Sequence, residues 1–446
     1  MRFLPRLPLY TAVAALTATC TVLLTAMPAS AESLREWAEG VGANLDPVTC
    51  ETPASDPGEQ MNGTPWHVTA SGLEQAHEHN TGLRADGTPV KVAVIDSGVE
   101  DGHPTFDSNV LPGADPYDPE TDGRCDAAGH GTAVAGIIAG GHDDVGFMGV
   151  APDAQIIPFR LFPTGEEGGN NIEISIQIAA TIEAAVEAGA DVINISIAVL
   201  KSDELEAAVE HAWNEGVLIV AATGNEKKYM DDEKNDIASD EETYYPANYP
   251  KVLAVGASDI NGALYAEENY GDNLDLIAPG EGISVPDNSG EGYVPNVSGT
   301  SFAAPHVAGA VALLIGKYGD LATPQWITDR LFETATHPAD ADGFNEFQGH
   351  GLLNIPKALT ASESAEGDEE ATLPPFEPRQ IEAMEVGYDP LADEKTLAWA
   401  SLGAAAVLIT LVLVLKKIVP SGRRRGWRPG TRKSDRLPVK TEADTT

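Results

Sequence analysis

Cysteine and positive charge are scarce in this 446-residue chain: it has three Cys, and 27 Lys+Arg stand against 69 Asp+Glu, for a formal net charge of −42. Without a basic stripe the bulk of the chain is not built to hold nucleic acid or an anionic lipid surface, because like charges repel at close range. Paired histidines with HExxH spacing, a phosphate-binding GxxxxGK[ST] loop and a GxSxG elbow are missing too, so no metal or other cofactor is expected. No internal repeat is present.

Twelve of the 27 Lys+Arg lie at the two ends. Arg2 and Arg6 precede a short apolar run, Leu9 to Thr25, and Ala29-Ser30-Ala31 supplies small residues for a signal-peptidase cut. Residues 1–31 are therefore expected to be a signal peptide, with Glu32 first in the mature chain. Leu397 to Leu415 is uncharged for 19 residues, about the length that crosses a bilayer as a helix. Ten Lys+Arg against three Asp+Glu follow it, beginning with Lys416, Lys417 and Arg423-Arg424-Arg425. By the positive-inside rule this tail is cytoplasmic, which places the acidic bulk outside the cytoplasm on a single-pass anchor in the cell membrane. The acidity fits either a salty habitat or an ordinary acidic exported protein. Cys20 leaves with the signal, and the two remaining cysteines, Cys50 and Cys125, are expected to pair in an oxidising compartment.

Between the ends, Glu32 to about Pro65 reads as an irregular extension rich in Pro, Gly and acid. From Lys91 onward short apolar, β-branched runs recur: 91–95, 155–162, 191–197, 217–222, 252–257 and 274–278. They have the character of buried parallel strands. Helical patterns alternate with them, at Ile172 to Ala188 and at Asp203 to Asn214 behind a Ser202 cap. Thr323-Pro324 starts a last helix. Alternation of this kind implies an α/β three-layer sandwich with a mostly parallel sheet, and a ligand site at the carboxyl ends of the strands. The domain is expected over residues 66–360, followed by an acidic, Pro-containing stalk over 361–396.

Three segments carry chemistry. Asp96 leaves a buried strand in Val94-Ile95-Asp96-Ser97-Gly98-Val99, His130 opens a small-residue helix in Gly129 to Gly136, and Ser301 precedes a helix in Gly299 to Gly309. Singly these are a turn former, a helix-capping or core histidine and an N-cap serine. Together, in the chain order Asp, His, Ser, they form one of the known orders of the catalytic triad.

With these motifs the chain resembles the subtilisin-like serine proteases from about Lys91 to Leu359, including the closing pattern Gly349-His350-Gly351-Leu352-Leu353-Asn354. The resemblance implies a serine endopeptidase in which Ser301 attacks a peptide carbonyl, His130 shuttles the proton and Asp96 orients the imidazole. It places Asn225 in the oxyanion hole and Ser196-Ile197-Ala198 on the edge that pairs with extended substrate. Ala198 departs from the family's usual glycine and is followed by Val199, a change expected to narrow the cleft. Lys227 to Thr243 is a charged insertion, either a lid or a solvated loop. His306 is expected to be packed and His103-Pro104 to be a loop feature. Asp340 and Asp342 before Gly343 are too few for a calcium loop. Conventional members carry a prodomain on the order of 70 residues by family resemblance, whereas the extension of 34 residues before the domain is too short to bury a core alone.

The arrangement of signal, extension, protease domain, stalk, single membrane helix and basic tail looks like the mycosins, membrane-anchored proteases of type VII secretion systems. Thr64-Pro65-Trp66 and a cysteine in the extension add to that likeness. It implies processing of secreted protein substrates and a part in holding the secretion membrane complex together. The alternatives are a mainly structural component of that complex and a generic surface-degradative protease.

Overall fold

The computed structural model describes residues 31–362 apart from 44, 51–57, 60, 62, 142–145, 164–171, 231–242, 291 and 338–342, and a few positions between 415 and 427. The chain divides into two units, Met1–Glu363 and Ser364–Thr446. In the second, short helical stretches are seen at 415–416, 418–420 and 423–424. Among the described residues no helix is long and apolar enough to cross a membrane. The apolar run 397–414, the stalk from 363 to 396 and the signal residues 1–30 lie outside them.

In the first unit the strands are β1 (Lys91–Asp96), β2 (Gln155–Arg160), β3 (Val192–Ile195), β4 (Val199–Leu200), β5 (Leu218–Ala222), β6 (Thr243–Tyr245), β7 (Val252–Ser258), β8 (Leu276–Pro279), β9 (Glu281–Pro286) and β10 (Tyr293–Ser298). The helices are α1 (Ala31–Gly42), α2 (Trp66–Ala70), α3 (Leu73–His77), α4 (His130–Ala139), α5 (Ile172–Glu187), α6 (Asp203–Asn214), α7 (Thr300–Tyr318), α8 (Pro324–Thr334) and α9 (Ile355–Thr360). Six strands form one sheet in the order β2-β1-β3-β5-β7-β8, and every pairing in it is parallel.

The apolar runs do not alternate with polar residues because both faces of this sheet are covered. Side chains two apart share a face: Val92 and Val94 join Val134, Val307 and Val311 of α4 and α7 in one core. Ala93 and Ile95 join Ile178, Ile182, Leu205 and Val209 of α5 and α6 in the other. The caps read from the sequence are present: Ser202 Oγ accepts from Leu205 N–H at 3.1 Å and Thr323 Oγ1 from Trp326 N–H at 3.3 Å.

The extension is not irregular throughout, which corrects the expectation. Leu34, Trp37 and Ala38 lie on one side of α1 at helical spacing. Leu34 and Ala38 are buried, and Trp37 meets Phe159 edge-on at 6.1 Å. Arg35 pairs with Asp122 at 2.7 Å. The proline and acid that follow Gly42 hid this amphipathic turn. Farther along, a disulfide joins Cys50 to Cys125, and Val48 O accepts from the buried Arg160 at 3.2 Å. Glu59 bridges antiparallel to Tyr293, extending the β9–β10 hairpin.

Candidate active site

The carboxyl ends of β1, β3 and β5 carry Asp96, the Ser196–Ala198 segment and the loop to Asn225. Asp96 is 2% exposed, and its Oδ1 accepts from Ser97 N–H at 2.7 Å and faces His130 Nδ1 at 2.8 Å. A carboxylate can only accept here, so Nδ1 carries the proton and Nε2 is left as the basic nitrogen of the neutral ring. Close approach of α4 to β1 depends on Gly131: a β-carbon there would sit 2.1 Å from Gly98 O and 3.1 Å from Asp96 Cβ.

Ser301 is 5% exposed in the first turn of α7, where backbone N–H groups have no partner inside the helix and the dipole favours negative charge. Asn225 reaches the same point from β5. A β-carbon on Gly299 would lie 3.6 Å from Asn225 Nδ2 and 3.7 Å from Ser301 Oγ. Asn225 Oδ1 accepts from Thr300 N–H at 2.9 Å and from Thr300 Oγ1 at 3.2 Å. Because a backbone N–H only donates, the amide oxygen is fixed on Thr300 and Nδ2 is turned away as a free-standing donor. Thr300 Oγ1 also accepts from Gly224 N–H at 3.1 Å, so one hydroxyl clamps the loop to the helix.

The Ser196 to Ala198 segment divides its work. Ser196 is 2% exposed. Its hydroxyl donates to Ser301 O at 2.8 Å and accepts from Asn194 Nδ2 at 3.0 Å, so the side chain holds the nucleophile's turn. Ile197 is buried in the core. Ala198 is half-buried, with its Cβ 3.6 Å from the β-carbon position of Gly224. Val199 does not narrow the cleft as expected: it is fully buried in β4 and pairs with Tyr245.

Several positions escaped the sequence reading. Asp126, fully buried, takes five hydrogen bonds: from Ser97 Oγ, the N–H groups of Ala128, Gly129 and Thr132, and Thr132 Oγ1, at 2.7–3.0 Å. Burial pushes its carboxyl above the ordinary range while these donors pull it back. The result is a rigid turn that starts α4 at His130, next to the Cys50–Cys125 bridge. Phe302 sets its ring 5.4 Å from that of His130. Thr300 and Phe302 flank Ser301 and were in sight; Asp126 gave no local signal.

Of the remaining histidines, His306 is buried as expected, and His103 accepts from Thr105 N–H at 3.1 Å. Lys227 and Met230 are tied by backbone bonds to Glu267 and Tyr270, but 231–242 of the insertion lie outside the described residues, as do Asp340 and Asp342. Among the described residues no group of His, Cys, Asp or Glu is placed to hold a metal ion.

The subtilase family pattern matches residues 87–351, more than half the chain and spanning Asp96, His130, Asn225 and Ser301. The chain belongs to the subtilase family. It is a subtilisin-like serine protease by family and fold. This subtilase is 36% identical to subtilisin NAT of Bacillus subtilis subsp. natto over 273 residues, 61% of this chain and 66% of that relative. Among solved structures it is similar to MycP1 from Mycobacterium smegmatis, with 31% identity, a TM-score of 0.60 and coverage of 74% of this chain and 93% of the other. It is also similar to the MycP3 protease from the type VII (ESX-3) secretion system, with 30% identity, a TM-score of 0.58 and coverage of 71% and 95%.

Proposed function

We propose that this subtilase is a membrane-anchored extracytoplasmic serine endopeptidase that uses Asp96, His130 and Ser301 for catalysis and processes substrates of a type VII secretion system. The observation that carries the chemistry is the 2.8 Å contact of Asp96 Oδ1 with His130 Nδ1, whose ring stands 5.4 Å from that of Phe302, the residue after Ser301. His130 Nε2 takes the proton as Ser301 Oγ bonds to the scissile carbonyl carbon. The Ser301 N–H and Asn225 Nδ2 receive the charge on the carbonyl oxygen. His130 then passes the proton to the leaving amine, and water repeats the sequence on the acyl-enzyme. No cofactor enters these steps.

A fluorophosphonate probe tests this reading: it should label the wild type and not Ser301→Ala. Labelling that persists in the variant would overturn the assignment. The topology rests on the charge step after Leu415. Protease shaving of intact cells should remove the domain and spare the basic tail, and the reverse pattern would invert the orientation.

Similarity to MycP1 and MycP3 supports a second reading, a structural part in the secretion membrane complex. Under that reading Ser301→Ala cells keep the complex assembled and deletion cells lose it. Normal secretion and assembly in both strains would remove the type VII assignment.

A further inference from the structure

Asn225 is a half-buried loop residue that has to present Nδ2 in one direction. The backbone that carries it is an awkward one: Gly224 takes a φ of 96° and Lys227 a left-handed φ of 56°, conformations that non-glycine residues seldom adopt. A turn of this kind persists where its surroundings hold it. Thr300 holds it from α7, through Asn225 Oδ1 and Gly224 N–H. A second hold comes from the connection between β7 and β8.

Asn269 lies in that connection, fully buried, and directs its whole hydrogen-bonding capacity at this loop. Its Nδ2 donates to Thr223 O and to Glu226 Oε2, both at 2.8 Å. Its Oδ1 accepts from Glu226 N–H at 3.2 Å and from Lys228 N–H at 2.9 Å, and its backbone N–H donates to Gly224 O at 3.0 Å. A side-chain amide has two hydrogens and two acceptor sites, and each here meets a group of the only kind it can pair with, which fixes the amide's orientation. Aspartate would lack the donors, and glutamine would reach one bond too far. The contact is also close. A β-carbon on Gly224 would stand 2.6 Å from Asn269 Nδ2, so the glycine is what lets the loop lie on the amide.

Asn269 is itself anchored to the sheet. The preceding Glu268, 4% exposed, accepts from Ala257 N–H of β7 at 2.6 Å, and Tyr265 N–H donates to Ala257 O at 2.9 Å. Burial raises the Glu268 carboxyl to about 8 against the pull of that N–H, so it anchors the turn as a neutral acid at neutral pH. Beyond Asn225 the two segments stay together: Lys227 N–H bonds to Glu267 O, Tyr270 N–H to Lys228 O and Met230 N–H to Tyr270 O, at 2.8–3.0 Å. Among the described residues none of the Asn269 bonds ends on Asn225. They end on the residues before and after it.

We propose that Asn269 is a positioning residue for the oxyanion hole: it fixes the backbone on both sides of Asn225, while Thr300 fixes the amide, and so places Nδ2 where the charge of the reaction develops. This rests on the catalytic reading of Ser301 and Asn225. Displacing a positioned group by about 1 Å costs on the order of 10²-fold in rate, and a residue that acts through Asn225 should cost no more than the loss of Asn225.

The test compares kcat and KM of the purified full-length chain on a peptide anilide for wild type, Asn269→Ala, Asn225→Ala and the double variant. Asn269→Ala should lower kcat by about 10- to 100-fold with KM near that of wild type. In the Asn225→Ala background the same substitution should change kcat by less than about two-fold, the margin within which independent effects add. A residue that merely stabilises the fold would cost the same factor in both backgrounds, and that outcome overturns the proposal, as does a change carried by KM alone. Asn269→Asp keeps the Oδ1 acceptor and loses both donors; it is the second variant if the first does not fold, and should show the same dependence on Asn225. Failure of both to fold would make Asn269 a residue of the fold and equally overturn the assignment. Wild type that does not label at Ser301, or Asn225→Ala with full kcat, overturns the catalytic reading instead and is thereby told apart.

Discussion

His67 Nδ1 lies 3.3 Å from His306 Nε2 in the interior, and each ring reaches a backbone carbonyl with its other nitrogen: His67 to Ser284 O at 3.0 Å, His306 to Phe302 O at 2.9 Å. Carbonyls only accept, so both outer nitrogens carry protons, and two neutral rings then bring bare nitrogens face to face. The pair packs α2, just after the extension, against α7 one turn beyond Ser301, the rings edge-on at 5.4 Å.

Burial is the main cause that holds His67 down at about 3, with His306 adding to it, and burial likewise holds His306 at about 4. Both lie below the 6.5 of an unfolded histidine, so the folded state binds fewer protons in between. Their contribution is complete above pH 6.5 and is lost as pH falls from 6.5 toward about 4 and about 3, at about 1.4 kcal/mol per pH unit and group. Thermal melts across pH 4–7 should show this slope in the wild type and a flatter one in His67→Gln/His306→Gln. An equal slope in both proteins would refute the assignment.

Asn225→Ala should retain fluorophosphonate labelling but lower turnover by about 10²–10³-fold, a figure that comes from the subtilisins themselves and is carried over here. Thr300→Val removes a hydroxyl that orients Asn225 and should lower kcat with a smaller change in KM. A pure KM effect in either variant would count against an oxyanion role.

Asp126→Ala leaves three buried donors, Ser97 Oγ and the N–H and Oγ1 of Thr132, without their acceptor, each worth about 1–3 kcal/mol when unpaired. A loss above about 3 kcal/mol in denaturant unfolding is expected, along with a fall in kcat as the His130 turn loosens. Stability within 1 kcal/mol of wild type would show that water or another group replaces the carboxylate.

Replacing Cys50 and Cys125 by Ser opens a loop between positions 75 apart in sequence, and the chain-entropy relation sets the cost at about 4 kcal/mol. Mass spectrometry of the mature protein should find the bridge intact and the N-terminus near Glu32. A mature N-terminus near residue 66 would mean that the extension is removed and not retained.

The sheet and its flanking helices were legible from the residues alone, and Asp96, His130 and Ser301 were singled out by the family resemblance that their three motifs carry. A buried parallel strand needs a continuous apolar run, a helix needs its period and cap, and the triad motifs are contiguous. Local sequence also held α1 in the spacing of Leu34, Trp37 and Ala38, but the Pro- and acid-rich stretch after it masked the signal. What only the tertiary structure decided are relations across long separations. Ser196 faces the Ser301 carbonyl 105 residues on, and Val199 is buried in the core where β4 pairs with β6. Each depends on which strand edge or carbonyl comes within hydrogen-bond reach after the chain has closed, and residue type and spacing do not contain that distance.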